Sequence, residues 1–342
     1  MKLLAFPAFK NKKSNPYNYM LYDGLDSIDC DVEEFSFKKA LMLNYDVLHV
    51  HWPELFLNSN YFLKALLYST LFLIVLAIAK LAGKKVVWTI HNLTPHSVKY
   101  SKLNSIFWFF YLKIVDGVIS LSSANEKKAI DKFGFKSCLP KAVIYHGLYD
   151  NAYQNEISCE DARESLGLPI DSKVILFFGQ IKPYKNVEKL ISEFNKNNGN
   201  NYKLLIVGKF DTKEYFDEIN NLIETDNIVV VNKFIPDEEI QIYYNAADLC
   251  VLPFKNIFNS GSALLSVTFN TSVLVPYTDN FKEYQEVLNE DCIKCYTGEI
   301  TFEKISRSLV KSPDKLKILN TNLCEWAQIK KKHVQFYNTL IK

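Results

Sequence analysis

The sequence predicts an α/β protein built from two doubly wound domains, and three observations carry that expectation. Short apolar runs alternate with helix-length amphipathic segments along the chain, the pattern of parallel sheets covered on both faces. The length of 342 residues provides for two cores rather than one. The alternation lapses once, at residues 148–169, into a polar stretch holding Asn151, Asn155 and Asp161, which marks a seam. Strands are expected at 2–8, 32–37, 47–51, 86–91, 117–121 and 142–146 before the seam. After it they are expected at 174–178, 203–207, 228–232, 249–253, 273–276 and 292–296. The domains run over 1–155 and 156–321, and 322–342 reads as a long helix with no strand after it. In such sheets ligands bind beyond the carboxyl ends of the strands, so the loops there are the places to look.

The most informative of these loops follows the apolar run 174–178. Gly179 ends the run, Lys182 and Lys185 follow within a few residues, and a helix pattern starts near Val187. A glycine turn, two cations and a helix N-terminus together hold an anion, since unpaired N–H groups and full charges converge there. The diphosphate of a nucleotide is the expected occupant. Further on, Asn259-Ser260-Gly261-Ser262 opens another helix after the run 249–253 and its Asn256. That is an ordinary N-cap, and it also exposes N–H groups to a phosphate. It gains weight because both loops should lie at one edge of one sheet.

In the first half, two strand ends carry histidines. One reads His49-Val50-His51-Trp52-Pro53-Glu54, and the other His91-Asn92 with Thr94 and His96 beyond. His51, Glu54 and His91 are candidates for a general base or for sugar contacts, because a hydroxyl nucleophile needs a proton acceptor beside it. Side chains alternate along a strand, so at least one of His49 and His51 is expected in the core. No H-x-x-x-H or H-E-x-x-H spacing favours zinc. The seven cysteines are odd in number and scattered; Cys292-x-x-Cys295 lacks a second ligand pair, and buried thiols are the expectation. With no secretory n-region, a reducing cytosol is the expected compartment.

A formal charge of +2 conceals an asymmetry. Residues 1–150 carry 18 lysines against 12 acids, and residues 60–145 carry 12 lysines against three acids (Asp116, Glu126, Asp131). The same region holds 15 uncharged residues at 65–79 and the aromatic cluster Ile-Phe-Trp-Phe-Phe-Tyr-Leu at 106–112. The first is shorter than the roughly 18–20 residues that span a bilayer. Two core helices would account for either segment alone. Together with the lysines they favour helices, at about 61–82 and 103–114, that rest on an anionic leaflet.

The layout resembles a GT-B-fold glycosyltransferase of the family 4 type over nearly the whole chain. It is most similar to bacterial exopolysaccharide transferases of the xanthan β-mannosyltransferase type. The stretches that carry the resemblance are Asn15-Pro16-Tyr17 with Leu21-Tyr22, His49 through Glu54, Thr89-Ile90-His91-Asn92, and Gly179 through Lys185. Phe234-Ile235-Pro236-Asp237 with Tyr243, Ala246, Ala247 and Asp248, and the terminal Trp326…Tyr337 helix, also match. The resemblance implies two Rossmann-like domains facing a cleft, with the terminal helix crossing back to the first. It implies that Gly179, Lys182 and Lys185 hold the donor diphosphate and that Asn259, Ser260, Gly261 and Ser262 cap its phosphates or sugar. Phe234 and Ile235 would flank the base, His91 would contact the transferred sugar, and no metal cofactor would be required. Gln180 stands where the family has arginine, and Phe258 and Ser266 where it has two glutamates. That departure favours an inverting displacement, with Glu54 as base and Asp23 in reserve.

The resulting expectation is a peripheral enzyme on the inner face of the cell membrane. It would move a hexose from a nucleoside diphosphate sugar, GDP-mannose before UDP-hexoses, to a polyprenyl-diphosphate-linked or other glycan acceptor in surface polysaccharide synthesis. A nucleotide-sugar epimerase on the same fold and a non-catalytic donor-binding subunit are the alternatives. A dehydrogenase is disfavoured because no G-x-G-x-x-G follows the first strand. Nucleic acid is disfavoured because the basic region is apolar-rich rather than arginine-rich.

Overall fold

A computed structural model describes residues 1–13, 15–93, 98–196, 199, 201–255, 257–309 and 316–342. The described residues contain twelve strands in two six-stranded sheets. The first sheet comprises β1 (Lys2–Phe6), β2 (Asp31–Glu34), β3 (Val47–Val50), β4 (Lys85–Ile90), β5 (Gly117–Ser120) and β6 (Lys141–Val143). The second comprises β7 (Lys173–Phe178), β8 (Tyr202–Val207), β9 (Ile228–Val231), β10 (Leu249–Val251), β11 (Val273–Pro276) and β12 (Ile293–Tyr296). Their spatial orders are β2-β1-β3-β4-β5-β6 and β12-β11-β10-β7-β8-β9, and every pairing is parallel. All twelve expected runs are strands. Their ends move by up to three residues, most at β2 and β6, which lie at sheet edges and pair on one side only. The architecture is α/β, with two doubly wound parallel sheets.

The chain divides into two compact units. Unit 1 is Met1–Gly147 with Asn322–Lys342, and unit 2 is Leu148–Thr321. Unit 2 begins earlier than residue 156 because the connecting stretch is bonded into it. The Tyr149 N–H donates to Thr268 Oγ1 at 2.9 Å, and the Glu156 N–H to Gln241 Oε1 at 2.8 Å.

Central strands read as unbroken apolar runs because both of their faces are covered. Val174, Ile175, Leu176 and Phe177 of β7 are fully buried, as are Val47, Leu48 and Val50 of β3. Helix starts follow capping chemistry: the hydroxyls of Ser36, Ser122, Ser158, Thr212, Ser260, Thr278 and Thr301 each accept an N–H three residues on.

The C-terminal segment returns to unit 1. It is not one helix: Thr321–Cys324 is a short turn, Glu325 is extended, and the long helix is Trp326–Ile341. The break lets Trp326 drop onto Gly147, where an added Cβ would lie 2.6 Å from the indole. Ile329, His333, Phe336, Tyr337 and Leu340 then face the sheet, with Phe336 and Leu340 each 3.0 Å from where a Cβ on Gly117 would be.

The Phe62–Leu81 helix is longer than its uncharged run, at 20 residues, and is long and apolar enough to cross a membrane by length and composition. Its Ala65, Ser69, Phe72, Val75, Leu76 and Ala79 form one buried stripe, so it is built as a covering helix of unit 1. The other face is apolar too. Leu63 and Leu81 are 76% and 88% exposed, and Leu67, Tyr68 and Ile74 are also exposed. The neighbouring Ser101–Ile114 helix exposes Ile106, Phe109 and Phe110.

Candidate active site

In unit 2 the strand order reverses between β7 and β10, and this switch point is where an open parallel sheet leaves room for a ligand. The loops that follow these two strands are the ones singled out in the sequence. Gly179 ends β7 at φ +120, and an added Cβ there would stand 3.4 Å from both Lys185 Nζ and Ser262 Oγ. The two loops therefore meet at one spot. Ser260 caps the Gly261–Thr268 helix by accepting the Ala263 N–H at 3.2 Å. Gly261 has no room for a side chain, since a Cβ would lie 2.6 Å from the Tyr149 hydroxyl. Asn259 and Ser262 are half-buried beside them.

Lys185 is the decisive residue. It is only 7% exposed, yet no carboxylate among the described residues pairs with its ammonium. Its surroundings are aromatic: Nζ lies 5.3 Å from the Phe254 ring centroid and 5.9 Å from that of Phe177. Burial, then the charge of Lys182, lowers its pKa to about 8. A buried cation without a counter-ion is costly, and the cost is recovered when an anion arrives. Lys182 differs. It is half-buried and faces Asp211 at 3.8 Å, which fixes it at the rim. Phe234 is 65% exposed, so its ring is available for stacking, whereas Ile235 is buried in the core. Gln180 is exposed, and Ser266 is buried with its hydroxyl donating to the Thr271 carbonyl at 2.8 Å.

In unit 1 the reversal lies between β1 and β3. The histidines stand at the ends of β3 and β4, His49 within β3 and His51 and His91 just after the strands, and they are buried together rather than presented singly. His51 Nδ1 is 2.9 Å from His91 Nε2, and His51 Nε2 is 2.5 Å from the Tyr22 hydroxyl. That hydroxyl is 2.7 Å from His49 Nδ1, which the Tyr337 hydroxyl also approaches at 2.8 Å. His49 Nε2 meets Thr89 Oγ1 at 2.8 Å. Burial holds His49 and His51 well below the ordinary imidazole range and His91 at about 3, so all three rings are neutral. Both ring nitrogens of His51 are engaged, one with His91 and the other with Tyr22. No local pattern announces this linkage, because Tyr337 is 288 positions from His49.

His91 stacks on the Trp52 ring at 4.3 Å between centroids. Glu54, on the short helical turn Pro53–Leu57, has its pKa raised to about 7 by burial, moderated by its own backbone and by Asn92. Asn92 Nδ2 donates to its Oε1 at 3.5 Å. A carboxyl poised at that value gives up and takes up a proton near neutrality. Asp23, the reserve, is solvent-exposed. Glu34, which no sequence motif marks, accepts the N–H groups of Phe9 and Lys10 on Oε2 at 2.7 and 3.0 Å and so shapes the loop after β1. Thr94, His96 and Asn256 lie outside the described residues. Among the described residues no group of three His, Cys, Asp or Glu side chains could hold a metal ion.

Residues 158–263 match the family of group 1 glycosyl transferases, a stretch that includes Lys185, Phe234 and Ser262. Over 336 residues the chain is 26% identical to the GDP-mannose:glycolipid 4-beta-D-mannosyltransferase of Xanthomonas campestris pv. campestris, covering 96% of this chain and 89% of that one. Among solved structures it is similar to sucrose-phosphate synthase from Thermosynechococcus elongatus, with TM-score 0.70, 16% identity, and 99% and 98% of the two chains covered. It is equally similar in fold to HepE of Anabaena, solved with UDP and glucose, with TM-score 0.70, 14% identity and 99% of each chain covered.

Proposed function

We propose that this chain, which has the fold of GT-B glycosyltransferases, moves a hexose from a nucleoside diphosphate sugar to a lipid-linked glycan. The single observation that carries the reading is the buried, uncompensated ammonium of Lys185 beside Ser262 at the β7/β10 switch point. The name of the Xanthomonas relative supports GDP-mannose as donor and a glycolipid as acceptor.

In this reading unit 2 holds the donor. Lys185 and the Gly261–Thr268 helix start neutralise the diphosphate, Lys182 adds charge at the rim, Phe234 stacks on the base, and Asn259 to Ser262 line the phosphates or sugar. Unit 1 supplies the base, and His91 serves the transferred sugar. The acceptor hydroxyl gives its proton to the Glu54 carboxylate as its oxygen bonds to the anomeric carbon. The bond from that carbon to the phosphate oxygen breaks, and the nucleoside diphosphate leaves with the electron pair, inverting the centre. Ser266 and Phe258, which bear no carboxylate, support this direct displacement. Charge neutralisation by lysine supports a reaction that needs no divalent ion, so excess EDTA should leave the rate unchanged.

The exposed apolar face of Phe62–Leu81, with Phe109 and Phe110 beside it, supports attachment to the inner leaflet. Lys64, Lys84, Lys85, Lys102 and Lys113 lie in or beside these segments, which favours anionic lipid as the occupant. That is where a polyprenyl-linked acceptor of surface polysaccharide synthesis would be met.

Thermal-shift screening against GDP, UDP and dTDP sugars tests the donor assignment, because a ligand that binds the folded state raises its melting temperature. GDP-mannose is expected to give the largest shift; no shift with any of them would contradict the reading. Transfer of labelled mannose to lipid extract is the matching activity assay.

A further inference from the structure

We propose that Tyr337, on the C-terminal helix, acts through His49, Tyr22 and His51 to hold His91 as its Nδ1–H tautomer. These four are then positioning residues for His91, and the inference rests on the assignment of His91 to the transferred sugar. The argument is a count of protons. Each neutral imidazole has one N–H and one bare nitrogen, and each phenol has one proton to give.

Tyr337 is fully buried, and among the described residues its hydroxyl has one polar partner, His49 Nδ1 at 2.8 Å. A buried hydroxyl proton needs an acceptor, so Tyr337 donates and His49 Nδ1 is bare. His49 is therefore the Nε2–H tautomer and donates to Thr89 Oγ1, 2.8 Å away. With the His49 Nδ1 lone pair taken, Tyr22 gives its proton to its other partner, His51 Nε2, at 2.5 Å. His51 must then carry its proton on Nδ1 and donate it to His91 Nε2 at 2.9 Å. His91 accepts there, which leaves its proton on Nδ1. The opposite polarity, with His49 Nδ1–H pointing at both phenols, strands the Tyr337 proton without an acceptor.

Removing that one hydroxyl frees the chain to reverse. In Tyr337→Phe, Tyr22 is released to donate to His49 Nδ1, His51 then donates to Tyr22 from Nε2, and His91 donates to His51 from Nε2. His91 would then present a bare Nδ1 where the wild type presents an N–H. A residue on the returning helix thus sets the chemical face of a histidine after β4.

The test is long-range proton–nitrogen correlation NMR on the full chain with 15N-labelled histidine at pH 7.5, with His91 signals identified by their loss in His91→Gln. The expected wild-type pattern is Nε2–H for His49 and Nδ1–H for His51 and His91. Tyr337→Phe is expected to move the His51 and His91 protons to Nε2. Wild-type His91 protonated on Nε2 would overturn the proposal whether or not the variant folds, as would a folded Tyr337→Phe with unchanged tautomers. In the transfer assay Tyr337→Phe should lower kcat about tenfold, the factor that about 1.4 kcal/mol of one neutral hydrogen bond corresponds to, with donor KM unchanged. The expected tautomers with wild-type kcat would overturn the role of His91 in transfer and leave the hydrogen-bonded chain standing.

Discussion

In the proposed mechanism, Lys185 and Glu54 would give the reaction its dependence on pH. Glu54 must be ionised to act as base, so activity should rise as pH passes about 7, the value to which burial lifts it. Lys185 must be charged to hold the diphosphate, so donor capture should fall as pH passes about 8, to which burial and Lys182 lower it. The profile of kcat/KM for the donor is therefore expected to be a narrow bell between these values, since that ratio reports the free enzyme. A plateau extending from pH 6 to pH 9.5 would remove both assignments. Glu54→Gln should abolish transfer while leaving donor affinity intact, and turnover at the wild-type rate would exclude it as base. Lys185 was legible in the sequence because its whole context is local: an apolar run, a glycine, the lysine and a helix start. The engagement of Lys182 with Asp211 was not, because it depends on the loop after β8 folding back beside the loop after β7.

Elements were legible in proportion to their burial. β3, β4, β7 and β8 are covered on both faces and so appear as unbroken apolar runs, whereas β2 carries Glu33 and Glu34 and ends earlier than its run suggested. The Phe62–Leu81 helix shows the opposite effect. Its buried stripe accounts for only five of its sixteen apolar residues, and most of the remainder face outward beside the aromatics of Ser101–Ile114. Exposed apolar faces of this extent mark interaction surfaces. Co-flotation should therefore recover the protein with vesicles of phosphatidylglycerol and phosphatidylcholine, and far less with phosphatidylcholine alone. Replacing Leu63 and Leu67 by Asp should weaken partitioning by roughly tenfold or more, given about 1.5–3 kcal/mol for each leucine withdrawn from lipid. Equal flotation of the variant would contradict the assignment of this face.

At the scale of the whole molecule, the histidines couple stability to pH. Burial lowers His91 to about 3 and His146 and His333 to about 4, against the ordinary 6.5 that the unfolded chain regains. Unfolding therefore takes up protons below pH 6.5. The stability these rings contribute is complete above that value and is lost as pH falls towards 4, at about 1.4 kcal/mol per unit for each ring. Melting temperature should drop steadily from pH 7 to pH 4.5, and a flat dependence would contradict the neutral cluster. The cluster joins the C-terminal helix to the rest of unit 1 across nearly the full sequence, which is why no local pattern announced it. The central claim, that the Lys185 cation is held unpaired for a donor diphosphate, is tested most directly by the melting temperature of Lys185→Met with and without GDP-mannose. Replacing a buried, uncompensated charge by an apolar chain of similar length should raise the melting temperature of the free protein and abolish the shift that GDP-mannose gives the wild type. A variant that melts lower than the wild type and still responds fully to the nucleotide sugar would contradict the account.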